Sequence, residues 1–97
     1  MPTKVIALVQ GLGRAGIKLA DGLRAGVNPC AERSAFLRLA CAALLQGGFT
    51  RSELRQAYVR ELDWAEQTAA SHVGQVVALI THLGAATEVD GRFQIAR

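Results

Sequence analysis

Apolar residues recur at helical spacing near the C-terminus. Over residues 71–84, SHVGQVVALITHLG, laying the chain out at about 100° per residue puts Val73, Val76, Val77, Ile80 and Leu83 on one face, with Leu79 at its edge. That face is core, and the opposite one carries Ser71, Gly74, Gln75, Ala78 and His82, small or neutral polar groups without Lys or Arg. Gly84 stops the helix. The pattern then changes to short β-forming runs, Thr87-Glu88-Val89 and Arg92-Phe93-Gln94-Ile95, separated by Asp90-Gly91, a strong hairpin signal. A two-residue turn would set Val89 opposite Arg92. A three-residue loop would pair Glu88 with Arg92 and Thr87 with Phe93, and is preferred because it unites opposite charges outside and Phe93 with Ile95 inside.

Upstream, Thr50 with Glu53 forms a capping box, and Phe49 with Leu54 a hydrophobic staple, so a helix starts at residue 51. Its inner positions are Leu54, Ala57, Tyr58, Leu62 and Ala65, with Arg51, Arg55 and Arg60 outside. Asp63 with Glu66 repeats the capping pattern, so the helix is expected to break near Leu62 and turn around Trp64, whose expected role is core packing. Thr68 or Ala69 then opens the next helix. Asn28-Pro29 suits an N-cap and a first helical position, which predicts a helix over residues 29–46 with Glu32 in its first turn. Its second half is apolar almost all round, as expected of a central helix.

Residues 1–27 leave several readings open. Val5–Val9 is an apolar run followed by Gly11-Leu12-Gly13-Arg14-Ala15-Gly16, a match to GxGxxG. Strand, loop and helix in that order would suit a dinucleotide pyrophosphate. No second parallel strand ending in an acid about 20 positions on is evident, which argues against that reading. A glycine-rich connection between short elements is the plainer one. A single long helix with Val5, Leu8, Leu12, Ala15 and Leu19 at heptad-like spacing would cost about 1 kcal/mol per internal glycine. Lys4, Arg14, Lys18 and Asp21 interrupt any membrane span.

Composition changes the picture little. The 97 residues make one domain of 51% hydrophobic and 5% aromatic content, a core of Ala, Leu and Val that favours packed helices. The net charge of +3 is compatible with nucleic acid without requiring it. Cys30 and Cys41, placed on one helix, would lie about 16 Å apart, too far for a disulfide, so reduced thiols and a cytoplasmic location are expected. Apart from the GxGxxG match, no metal-ligand spacing, cofactor motif or catalytic constellation is evident, no cofactor is expected, and His72 and His82 are expected to be structural or contact residues.

Residues 50–97 resemble the winged helix-turn-helix superfamily in its MarR-like and IclR-like bacterial form. The resemblance is carried by Thr50-Arg51-Ser52-Glu53-Leu54, Ser71-His72-Val73, Ile80-Thr81-His82-Leu83-Gly84 and Asp90-Gly91-Arg92-Phe93. It implies a mainly α fold with a small C-terminal β-hairpin, a recognition helix over about residues 69–83, a wing over about 86–96, and double-stranded DNA as partner. On that reading Ser71, Gln75, Ala78 and His82 face the major groove, Arg92 at the wing enters the minor groove or binds phosphate, and Arg51 and Arg55 lie near phosphates. Residues 29–97 would be the winged-helix domain and residues 1–28 an arm that serves dimerisation, the expected state being a homodimer. The uncharged outer face and the acids Glu61, Asp63 and Glu66 support an alternative, a protein-interaction module on the same scaffold.

Overall fold

The computed structural model describes residues 3–96. The described chain forms α1 (Thr3–Arg14), α2 (Leu19–Arg24), α3 (Ala35–Leu45), β1 (Phe49–Thr50), α4 (Arg51–Leu62), α5 (Glu66–His82), β2 (Ala86–Val89) and β3 (Arg92–Ile95). It is mainly helical, with a small antiparallel sheet of strand order β1-β3-β2 near the C-terminus.

α4 starts where its capping box puts it. The Glu53 N–H donates to Thr50 Oγ1 at 3.1 Å, and the Thr50 N–H donates back to Glu53 Oε1 at 2.9 Å. It stops after Leu62 because Asp63 turns left-handed, φ 55°. Asp63 therefore closes α4 and does not cap the next helix. Three residues later α5 begins at Glu66, earlier than the expected Thr68 or Ala69, with Ala65 at its N-cap position.

Three further expectations are overturned. The helix predicted for residues 29–46 begins only at Ala35, because Asn28 spends its side chain on turns and does not cap a helix. Its Oδ1 accepts the Cys30 N–H at 2.9 Å, its Nδ2 donates to the Arg38 carbonyl at 3.1 Å, and Arg33 N–H closes onto the Cys30 carbonyl at 3.0 Å. Asn side chains compete with helical bonding in this way, and residues 29–34 stay non-helical. Glu32 accordingly sits in that segment and not in a helical first turn. The second correction follows from the first: Cys30 is not on α3, so the helical rise does not set its separation from Cys41, and both thiols are buried and free.

The third concerns the hairpin. Asp90 and Gly91 both have positive φ, 51° and 80°, which makes a two-residue turn whose twist matches the strands. The register is Val89 opposite Arg92, Glu88 opposite Phe93, Thr87 opposite Gln94 and Ala86 opposite Ile95. The preferred three-residue loop, with Glu88 facing Arg92, is wrong by one residue. Phe93 is nonetheless buried, because β1 on the other side of β3 sets Phe49 against it, ring centroids 5.8 Å apart. The two residues of β1 carried no strand signal of their own.

The GxGxxG match has no strand before it. Val5–Val9 and the first two glycines belong to one helix, α1, which ends at Arg14, and the chain turns at Gly16. This is neither a strand–loop–helix nor one long helix through Leu19. Val5 and Leu12 of α1 and Leu19 and Leu23 of α2 lie in the same core cluster as Leu37, Leu54, Tyr58, Val76 and Phe93. α1 packs on α5, and Arg24 of α2 donates from Nε to the Ala96 carbonyl at 2.8 Å, tying the N-terminal segment to the end of the sheet.

Candidate nucleic-acid interface

On α5, Ala69, Val73, Val76, Val77, Leu79 and Ile80 are buried. The opposite side presents Ser71, Gly74 and His82 to solvent and leaves Gln75 and Ala78 half-buried. Helical periodicity alone located this stripe. A Cβ built at Gly74 would meet nothing within 4 Å, so the stripe is open at its centre.

Beside it, α4 and α5 enclose a shallow groove of about 360 Å³ lined by Arg51, Ser52 and Arg55 on one wall and Ala70, Val73 and Gly74 on the other. Arg51 is exposed, and its guanidinium carbon lies 5.4 Å from the Phe93 ring centroid. Arg55 is half-buried, with its Nε buried and lacking a protein acceptor. Two guanidinium groups and a hydroxyl thus border the uncharged stripe.

Arg92 is placed differently. It follows the hairpin turn as expected, but its Nη1 donates to Glu53 Oε1 at 2.9 Å and its Nη2 reaches the Gly48 carbonyl at 3.5 Å. It borders another depression, with Gly48, Glu53 and Arg60. The Thr50 N–H and then Arg92 hold the Glu53 carboxyl below its ordinary range. Among the expected DNA contacts, Arg51 and Arg55 therefore share the groove, Ser71, Gln75, Ala78 and His82 lie along the stripe, and Arg92 stands apart in an ion pair.

Comparison with protein-family models, curated proteins and solved structures found no match for this chain.

A feature that spacing did not reveal lies at the α4–α5 corner. Trp64 is half-buried, with its ring centroid 5.3 Å from Tyr58, 6.3 Å from Phe36 and 4.4 Å from the His72 ring. Tyr58 Oη donates to the Phe36 carbonyl at 2.7 Å, and His72 Nδ1 lies 2.9 Å from the Thr68 carbonyl oxygen. This packing fixes the angle between the two helices that border the groove. Glu61, Asp63 and Glu66 around it are exposed. Among the described residues, no helix is long and apolar enough to cross a membrane, and no three His, Cys, Asp or Glu side chains converge as metal ligands would.

Proposed function

We propose that the chain is a winged helix-turn-helix DNA-binding protein of transcriptional-regulator type, acting as a homodimer, with α5 as recognition helix and β2–β3 as wing. The observation that carries this is the placement of Arg51, Ser52 and Arg55 in one groove beside the exposed stripe of α5. Phosphate neutralisation supplies much of the affinity of such proteins, and α5 itself lacks cations, so the α4 arginines supply it. Gln75 then offers an amide to adenine, Ser71 a hydroxyl to base edge or phosphate, Ala78 a methyl to thymine, and His82 a ring nitrogen. The helix–strand–helix–helix–hairpin order with strands β1-β3-β2 agrees with this scaffold. A dimer doubles the small contact area of one short domain.

Arg92, held by Glu53, keeps the wing in place and is not a free phosphate ligand in this reading. Anisotropy of labelled duplex DNA titrated at several salt concentrations tests the assignment. Replacing both Arg51 and Arg55 by Ala in each protomer of the dimer should reduce the slope of log affinity against log salt by about 3.6, close to 0.9 for each of four phosphates, whereas Arg92→Ala should leave the slope unchanged. Absence of binding at low salt overturns the reading. One observation favours a second function: the stripe has no cation, and Gly74 leaves room for a partner backbone. In a protein-interaction module, Gly74→Leu would abolish partner binding with no duplex binding to lose.

A further inference from the structure

The depression beside Arg92 has a volume of about 340 Å³ and lies between α3 and the side of α4 turned away from Arg51, Ser52 and Arg55. Positions 53, 56, 57 and 60 recur at helical spacing, so Glu53, Gln56, Ala57 and Arg60 share that side of α4. Below them the hollow is apolar, with Ala43 of α3, Phe49, Leu54 and Ala57 in its wall. We propose that it binds a free α-amino acid with a small apolar side chain.

The rim sets opposite charges side by side and leaves each with bonding capacity. Arg92 Nη1 donates to Glu53 Oε1 at 2.9 Å, and the same oxygen takes the Thr50 N–H, so Glu53 Oε2 has no partner among the described residues. Arg92 Nη2 reaches only the Gly48 carbonyl, at 3.5 Å, beyond the usual range of a hydrogen bond. Arg60 spends Nε on Glu61 at 3.2 Å and keeps both Nη groups open. Gln46 and Gln56 add exposed carboxamides.

An α-amino acid carries its carboxylate and ammonium on one carbon, which matches a guanidinium and a carboxylate in contact. The ligand carboxylate accepts from Arg92 Nη2 and Arg60, the ammonium donates to Glu53 Oε2, and the side chain lies on Ala43 and Ala57, which are half-buried. Charge selects the class. A dianion such as a phosphate ester would meet Glu53, and a cation such as a polyamine would meet two arginines. The volume, near the small end for ligand pockets, suits a molecule of this size. Because Arg51 and Arg55 are on the other side of α4, the site does not rest on DNA binding.

The test titrates the full isotope-labelled chain with L-leucine, L-valine and L-methionine and follows its backbone amide signals by NMR. At least one of the three should shift the signals of residues 46, 53, 56, 60 and 92 saturably, with a Kd of about 1 mM or below. Its amide, which lacks the carboxylate, and its N-acetyl form, which lacks the ammonium, should each bind at least about tenfold more weakly, as should L-glutamate, whose side-chain charge would lie on the apolar wall. Arg60→Gln should weaken binding about tenfold while Tm stays within about 4 °C of wild type, because the side chain is exposed. Glu53→Gln should weaken it too, but it also disturbs the cap of α4, so Arg60→Gln decides. No saturable shift with any of the three up to about 10 mM, equal binding of a derivative or of L-glutamate, or unchanged affinity in Arg60→Gln would each overturn the proposal.

Discussion

Tyr58, the only tyrosine, links α4 to α3 and to the Trp64 corner, and alkaline pH offers a way to weigh it. Its side chain is fully buried, and burial first, then the neighbouring Cys41, raises the phenol above its ordinary value. The unfolded chain therefore releases the phenolic proton first. The stability this group contributes is complete below about pH 10 and is lost as pH rises from there toward the folded value, at about 1.4 kcal/mol per pH unit. Tyr58→Phe removes that slope. At neutral pH it costs about 1 kcal/mol, since the Phe36 carbonyl also lies within the helical ladder of α3 and is not left bare. Wild type and variant should thus become equally stable near pH 11. The buried thiols of Cys30 and Cys41 are present in both proteins, so any slope they add leaves the difference between them intact. Urea unfolding at fixed pH gives the stabilities, and near-ultraviolet tyrosinate absorbance reports the phenol directly. Tyrosinate appearing with an ordinary midpoint in protein that is still folded would refute the reasoning, as would parallel stability curves above pH 10.

Two glycines should respond in opposite directions to Ala. A Cβ at Gly48, φ +106°, would be driven into the Phe93 carbonyl oxygen where β1 meets β3, so Gly48→Ala should cost at least about 3 kcal/mol and lower Tm by more than about 10 °C in a thermal melt. Gly74→Ala, exposed in mid-helix with open space around it, should gain about 1 kcal/mol and raise Tm by about 4–8 °C. At the acid end, Glu53 is held low, so its contribution is present above its unfolded value of about 4.3 and is lost as pH falls through the folded one. Glu53→Gln should therefore have a lower urea midpoint at pH 6 that converges with wild type as pH falls through the folded value, and a constant gap would count against the assignment.

Local chemistry was legible in the sequence and long-range pairing was not. The Thr50–Glu53 box, the α5 face and the presence of a hairpin at Asp90-Gly91, though not its register, follow from rules written over two to about eleven residues, and the fold obeys them. Rules of that reach failed where a tertiary bond competed. Asn28-Pro29 is a sound helix start by propensity, yet the Asn28 amide finds the Arg38 carbonyl ten residues away, and the helix begins at Ala35. With that start went the geometry that kept Cys30 from Cys41. β1 is two residues long, and only its pairing with β3 makes it a strand.

The candidate site divides along the same line. Periodicity yielded the stripe on α5 and the outward Arg51 and Arg55, because each needs only its own helix. The role of Arg92 needed the register. A loop one residue longer would have paired it with Glu88, but the two-residue turn sets Val89 there and leaves the guanidinium to find its carboxylate elsewhere. It finds Glu53, and the same Oε1 atom already accepts the Thr50 N–H. One oxygen thus closes the cap of α4 and anchors β3, coupling the helix that carries Arg51 and Arg55 to the hairpin. A substitution at Glu53 should therefore disturb the hairpin as well as the start of α4, which neither the capping rule nor the hairpin rule would indicate by itself.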